Sequence, residues 1–225
     1  MNIFIKLLGF FTPQGNQNLF KDRSIDDVKK FIKILFIDDK ELEIVMSIKT
    51  EGWHTQYIPD LDSYDNQELR DSHIICLDIN GVGNILGCKN GLKLIKGIKE
   101  KHPNKKIILY SSERKKHDFF DENRDLADRV IFKDGSVYSF LKPIEELAMA
   151  LSSWESFVQD MHVKFCIMSG QSININEFDK ILRKSVNHKT HSIDHSRLLT
   201  IIGMTADIAT IISTSFSVFS NFRAN

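Results

Sequence analysis

The chain has 225 residues, 42% hydrophobic and 27% charged, with four prolines and eleven glycines, which excludes a disordered tail or a low-complexity polymer. Thirty basic and thirty acidic residues cancel, so no global field draws the protein to nucleic acid or an anionic membrane; such a partner must be recognised locally. Three cysteines, Cys76, Cys88 and Cys166, form an odd set without metal-knuckle spacing, which predicts reduced thiols, no disulfide and a cytoplasmic location.

Residues 1–11 (MNIFIKLLGFF) lack the basic start and cleavage site of a signal peptide. Ile3, Phe4, Leu7, Leu8 and Phe11 have helical spacing, which predicts a short helix packed on the fold, with contact to a membrane surface as the alternative. Residues 13–23 read as a polar linker, and Ser24 with Asp27 as a helix cap leading into Val28 and Phe31. Apolar runs then alternate with amphipathic stretches. Residues 33–39 (KILFIDD), 53–58, 73–78 (HIICLD), 106–112 (KIILYSS) and 129–133 (RVIFK) read as strands; 41–51, 67–72, 91–101 and 115–127 read as helices. Continuous apolar strands separated by amphipathic helices are what a parallel sheet covered on both faces requires. The expected fold class is therefore α/β, a five-stranded doubly wound parallel sheet, followed by an all-α C-terminal region. The boundaries expected are 1–29 for an N-terminal segment and linker, 30–153 for the α/β domain and 154–225 for the helical region.

In such sheets ligands sit outside the carboxyl ends of the strands, at the topological switch point. The first strand ends in Asp38 and Asp39, the third in Asp78, the fourth in Ser111 and the fifth in Lys133, so these side chains should converge on one cleft. Three carboxylates at such range need a cation, and hard oxygen ligands suit Mg²⁺. Lys133 adds a positive charge for phosphoryl oxygens, and Ser111 a short hydroxyl donor.

These motifs, FIDD, CLDIN, ILYSS and ADRVIFK in that order, resemble those of the receiver domains of two-component response regulators, over slightly more than half of the chain. The resemblance implies a flavodoxin-like receiver fold and a phosphorelay role: Asp38 and Asp39 hold Mg²⁺, Asp78 accepts the phosphoryl group, Asn80 offers its backbone carbonyl to the metal, and Ser111 and Lys133 read the phosphate. It further implies a histidine kinase or phosphotransfer protein as partner, and no enzymatic activity beyond Mg²⁺-dependent self-phosphorylation and self-dephosphorylation. The 22-residue step from Ser111 to Lys133 is the spacing expected of the family, and an alternative register would use Lys142 before Pro143, 31 residues beyond Ser111. There are departures. The loop after Asp78 (INGVGNILGCKN) is long, Val82 stands where a proline is common, Asp134 follows Lys133 in place of proline, and Val130 occupies the usual position of a switch aromatic.

Beyond Asp134, Ile144, Leu147, Leu151, Trp154, Val158, Met161 and Phe165 predict one long helix with Pro143 in its first turn, ended by Ser169-Gly170. Asn176 is the expected cap of a short helix through Lys184, followed by a polar linker over 185–196. That linker holds His188, His191 and His195, of which the last two could share a metal if helical. Residues 198–222 read as one apolar helix, long enough to cross a bilayer but interrupted near its middle by Asp207 and rich in serine and threonine. The rows Thr205-Ala209-Ser213-Ser217 and Ala206-Thr210-Thr214 would let helices approach closely. The tail is thus expected to form a homo-oligomer, with membrane contact as the alternative. Nothing in it resembles a DNA-binding module, so nucleic acid is not an expected partner; docking of another protein or DNA, or a degenerate receiver acting as a scaffold, are the competing readings.

Overall fold

The structure is a computed structural model that describes residues 20–40, 43–88, 90–111, 122–133, 136–187, 190, 192–199 and 204–221, with backbone alone at 218 and 221. The expected helix over 1–11, residues 115–121 of the helix expected over 115–127, Asp134, His188 and His191 lie outside the described residues.

Five apolar runs pair in parallel in the order β2-β1-β3-β4-β5: β1 (Lys33–Ile37), β2 (His54–Ile58), β3 (Ile74–Asp78), β4 (Lys106–Ser111) and β5 (Arg129–Phe132). This is the flavodoxin-like order of a doubly wound sheet. The chain leaves β1 towards one edge and returns on the other side to form β3, so the switch point lies between their carboxyl ends. Burial follows position. β3 is central and buried at every residue, whereas β2 lies at the edge and is buried at none.

Helices α1 (Ile25–Lys29), α2 (Glu43–Thr50), α3 (Gln67–Asp71), α4 (Gly91–Lys101) and α5 (Val137–Ser152) belong to the same unit, which spans Arg23–Ser152. α1 starts where the Ser24 hydroxyl accepts from the Asp27 N–H at 3.2 Å, and its Val28 is buried. α1 thus belongs to this compact unit. Asn66 and Asn90 cap α3 and α4 in the same way, each side chain accepting at 3.0 Å from a backbone N–H three residues on. The strands' alternation divides the core. Leu35, Ile37, Ile75 and Leu77 join Leu94, Ile95 and Ile98 of α4 in one cluster, while Phe36 and Tyr110 meet Phe140 of α5 with ring centroids 6.2 and 5.1 Å away. Of the expected polar helix before β5, the described part is a 3-10 turn, Glu122–Leu126.

The second unit comprises residues 153–225 with the chain around Phe20. The single long helix expected from Pro143 to Phe165 is two. Ser153 interrupts it, its side chain accepting from the Ser156 N–H at 3.3 Å to cap α6 (Trp154–Ser169), and Pro143 lies inside α5 rather than in its first turn. The apolar spacing continues across the break because both helices bury a face, so periodicity alone did not report it. Gly170 ends α6 in the left-handed conformation, φ 68°. Asn174, not Asn176, caps α7 (Ile175–Ser185). The stretch expected as linker contains a short antiparallel pair, β6 (Val186–Asn187) with β7 (Ser192–Ile193), then α8 (His195–Leu199). His195 meets the Thr210 hydroxyl at 3.3 Å.

The expected continuous helix over 198–222 is also broken. α8 ends at Leu199 and α9 runs Ala206–Asn221, so Asp207 sits in a first turn, where a carboxylate favours the helix dipole, rather than mid-span. No helix among the described residues is long and apolar enough to cross a membrane. Ile208, Ala209, Ile212, Phe216 and Phe219 of α9 are buried with Trp154, Phe157, Met161, Phe165 and Phe178. The apolar face thus finds its cover within its own unit.

Gly91 opens α4 with its N–H donating to the Ile79 carbonyl at 2.9 Å, and a Cβ there would run into the Asp78 carbonyl oxygen. Gly91→Ala should destabilise the unit by about 3 kcal/mol, the cost of overpacking against rigid backbone, read as a lower urea midpoint with an unchanged slope.

Candidate functional site

Strand register aligns the polar ends. Ile37 pairs with Leu77, Asp78 with Tyr110 and Ser111 with Phe132, so the residues ending β1, β3, β4 and β5 stand side by side. Because β1 and β3 are buried to their last residue, the acids at their ends begin the cleft without an intervening turn. Asp38, Asp39 and Asp78 each bring a carboxylate oxygen within 4.8 Å of the others, the one such group of three among the described residues. Asp38 and Asp78 are buried, and Asp39 is exposed.

Lys133 joins them. Its Nζ donates to Asp38 Oδ2 at 2.7 Å and to Asp78 Oδ2 at 3.0 Å, and its backbone N–H donates to the Ser111 carbonyl at 2.9 Å. Lys142 sits exposed within α5, so the spacing of 22 rather than 31 identifies the lysine that meets the acids. Burial opposes the Lys133 charge, but its bonds to Asp38 and Asp78 and their negative charges outweigh burial and raise its pKa. Asp78 moves the other way for a carboxylate seeking charge: burial raises its pKa, the Asp38 charge adds to this, and Lys133 only partly offsets them. The two shifts thus differ in origin: burial leads at Asp78, whereas the two acids prevail over burial at Lys133.

The oxygens of Asp38 are well occupied. The Lys40 N–H donates to Oδ1 at 3.0 Å, and the Tyr110 hydroxyl donates to Oδ2 at 2.9 Å beside Lys133. Burial and then the Asp38 charge push the Tyr110 phenol far above its usual pKa, which keeps it a donor. Lys133 Nζ also lies 4.7 Å above the Tyr110 ring. Asp78 differs: its Oδ1 is buried and accepts no hydrogen bond. A buried carboxylate oxygen without a partner is costly unless something else serves it. Ser111 is buried nearby, and its hydroxyl accepts from Asn80 Nδ2 at 3.2 Å.

The loop after β3 closes over this cluster. Gly81 has φ +80°, and a Cβ there would collide with the Asp39 carboxylate. Asp60, just beyond β2, accepts from the Gly83 N–H at 2.5 Å and the Ile85 N–H at 3.2 Å. Val82, at the position expected for proline, is fully buried, and Val130 is half-buried against the core. Tyr110 and Asp60 escaped sequence reasoning. Tyr110 left a signal, a lone hydroxyl-bearing aromatic among the aliphatic residues of β4; Asp60 left none, because its partners are backbone amides.

No family model and no curated protein matches this chain. Among solved structures it is similar to a LuxR-family DNA-binding response regulator from Staphylococcus aureus (20% identity, 52% of this chain and 98% of that chain, TM-score 0.44). It is also similar to the response regulator TrrA from Thermotoga maritima in complex with Mg²⁺ and BeF (20%, 52% and 98%, TM-score 0.42) and to the chemotaxis protein CheY4 from Vibrio cholerae (14%, 52% and 98%, TM-score 0.40). The likeness covers the N-terminal half and leaves the tail unmatched.

Removing the Lys133 ammonium leaves two buried carboxylates facing each other. Lys133→Ala should cost about 3 kcal/mol at pH 7, at the low end for breaking a buried pair because Lys133 is 20% exposed. The sign with pH is fixed by the raised Asp78 pKa: the native state holds that proton more tightly than the unfolded chain, so Asp78's contribution to stability is full below the unfolded carboxylate pKa and is lost as pH rises through the folded one. Thermal melts should therefore show the deficit of Lys133→Ala shrinking as pH falls from 7 to 4.

Proposed function

We propose that this chain is a phosphoryl-accepting signalling switch, in which Asp78 takes its phosphoryl group from a histidine kinase or phosphotransfer protein with Mg²⁺ as cofactor. The observation that carries the reading is the Asp78 carboxylate: Oδ2 rests on Lys133, Oδ1 is buried without a hydrogen bond, and two further acids lie within 4.8 Å.

The donor set fits the cation. It is all oxygen, it carries surplus negative charge, and it includes an orphaned oxygen, which together suit a hard divalent ion. Asp38, Asp39 and Asp78 would hold it, with the Asn80 backbone carbonyl. When bound, Mg²⁺ neutralises charge on the acids and on phosphoryl oxygens.

The protein's own task is then nucleophile and positioning. An Asp78 carboxylate oxygen attacks phosphorus; the bond from phosphorus to the donor's imidazole nitrogen breaks as the new P–O bond forms, and the imidazole leaves with the electron pair. The product is an aspartyl phosphate, which water later hydrolyses to inorganic phosphate and the free carboxylate. Lys133, released from Asp38, donates to one phosphoryl oxygen and the Ser111 hydroxyl to another. Incubation with acetyl phosphate and Mg²⁺ should add one phosphoryl group to the intact mass, and borohydride, which reduces the acyl phosphate with loss of phosphate, should leave homoserine at position 78. Unchanged labelling of Asp78→Asn would remove the reading.

Output passes through the C-terminal unit, by association with a second copy of the chain. Two features support this over a membrane. The apolar face of α9 is already buried in its own unit, and the same unit exposes the small residues Ala206, Thr210 and Thr214 of α9 and the apolar pair Val163 and Ile167 of α6. A cytoplasmic location is supported by the proposed donor chemistry and by an odd set of cysteines without metal-knuckle spacing. Light scattering of the full chain should show a higher molar mass with beryllium fluoride and Mg²⁺ than without, and Ile167→Glu should abolish the increase. A constant mass in both proteins would assign the output to docking of a different partner.

A further inference from the structure

We propose that Tyr110 is a positioning residue of the cation site, holding Asp38 so that Oδ1 faces the cation while Oδ2 is engaged by the tyrosine hydroxyl and Lys133. This rests on the reading of the cleft as a Mg²⁺-dependent phosphoryl acceptor.

The geometry leaves little choice. A carboxylate has about four lone-pair positions, two on each oxygen. Oδ2 of Asp38 receives two donors, Tyr110 Oη at 2.9 Å and Lys133 Nζ at 2.7 Å, and is saturated. Oδ1 receives the Lys40 N–H at 3.0 Å and keeps one position open. Asp38 is fully buried, so no solvent competes for that position. Tyr110 itself is held from three sides: its strand pairs it with Asp78, Phe140 meets its ring edge-on at 5.1 Å, and Phe36 lies 6.4 Å away. The hydroxyl therefore arrives at Asp38 with almost no rotational freedom.

Lys133 cannot perform this task alone. Its ammonium is shared between Asp38 and Asp78, and a phosphoryl group on Asp78 draws it away from Asp38. Tyr110 is neutral and makes its bond to Asp38 without competing for phosphate, so it fixes the ligand in both states. Hydrogen bonds from outside the coordination sphere orient a ligating carboxylate, and losing one typically lowers metal affinity about 10–100-fold.

Tyr110→Phe removes only the hydroxyl and keeps the ring packing. Calorimetric titration of the full chain with Mg²⁺ should show its Kd weakened about ten-fold, with a modest drop in Tm. Ile98→Val, in the core on the other side of the sheet, supplies a matched loss of stability and should keep the wild-type Kd. A Tyr110→Phe protein with wild-type or tighter Mg²⁺ affinity overturns the assignment, as does an equal weakening in Ile98→Val, which would make the effect one of stability. A wild-type protein that binds no Mg²⁺ fails differently, since it removes the cation reading itself and Tyr110's role with it.

Discussion

One ammonium group facing three carboxylates governs the strand-end layer of this protein. Two carboxylates about 4–5 Å apart repel by about 3–4 kcal/mol at an effective dielectric of 20, and burial raises the cost of each charge further. Lys133 offsets this for Asp38 and Asp78 together because it reaches both, at 2.7 and 3.0 Å. It can do so only if β5 lies next to β4, and β4 next to β3, with their ends level. The parallel register supplies that alignment: the backbone of Lys133 is hydrogen-bonded to Ser111, and Ser111 follows the residue paired with Asp78. A one-residue slip of β5 would turn the next side chain to the opposite face and leave the acids without their counter-charge.

Much of this layer was legible in the sequence. Strands covered on both faces read as unbroken apolar runs, so the points where KILFI, IICL and IILY give way to acids and hydroxyls mark where the sheet meets the cleft. Those transitions put Asp38, Asp78 and Ser111 at strand ends, and the end of RVIF does the same for Lys133. What periodicity does not encode is which oxygen each partner takes. Tyr110 reads as one more core aromatic, and it does pack as one against Phe140; its second role at Asp38 depends on a contact 72 residues distant in the chain.

The tail was less legible for a related reason. A helical stripe reports that a face is buried, not that the backbone is continuous, and the stripes of α5 and α6 happen to stay in phase across Ser153. The serine cap is the only local mark of the break, and a serine in an apolar helix is common enough to pass unnoticed. Likewise the run 198–222 has the composition of one long helix, yet it supplies the end of α8 and then α9 to a small core built around Trp154, Phe157 and Phe216. High apolar content there serves a small domain that must bury a large fraction of its surface.

The loop between β3 and α4 shows how the departures from a short connection are accommodated. Extra residues after a strand end would normally leave unpaired amides near the cleft, at a cost for each one that is buried. Here Asp60 collects two of them, from Gly83 and Ile85, and the Asn90 side chain takes the Lys93 N–H at the start of α4. Gly81 allows the backbone to lie directly against Asp39, where any side chain would displace the carboxylate. Val82 then turns inward and is buried, so the loop is pinned at its centre as well as at its ends. The added length is thereby converted into contacts between the end of β2 and the acid pair. Asp39, the most exposed of the three acids, is positioned by this loop rather than by a hydrogen-bonded neighbour of the kind that holds Asp38. Two acids of this cluster thus owe their orientation to different elements, Asp38 to β4 through Tyr110 and Asp39 to the β3–α4 loop through Gly81, and a change in either element alters the cleft without touching Asp78.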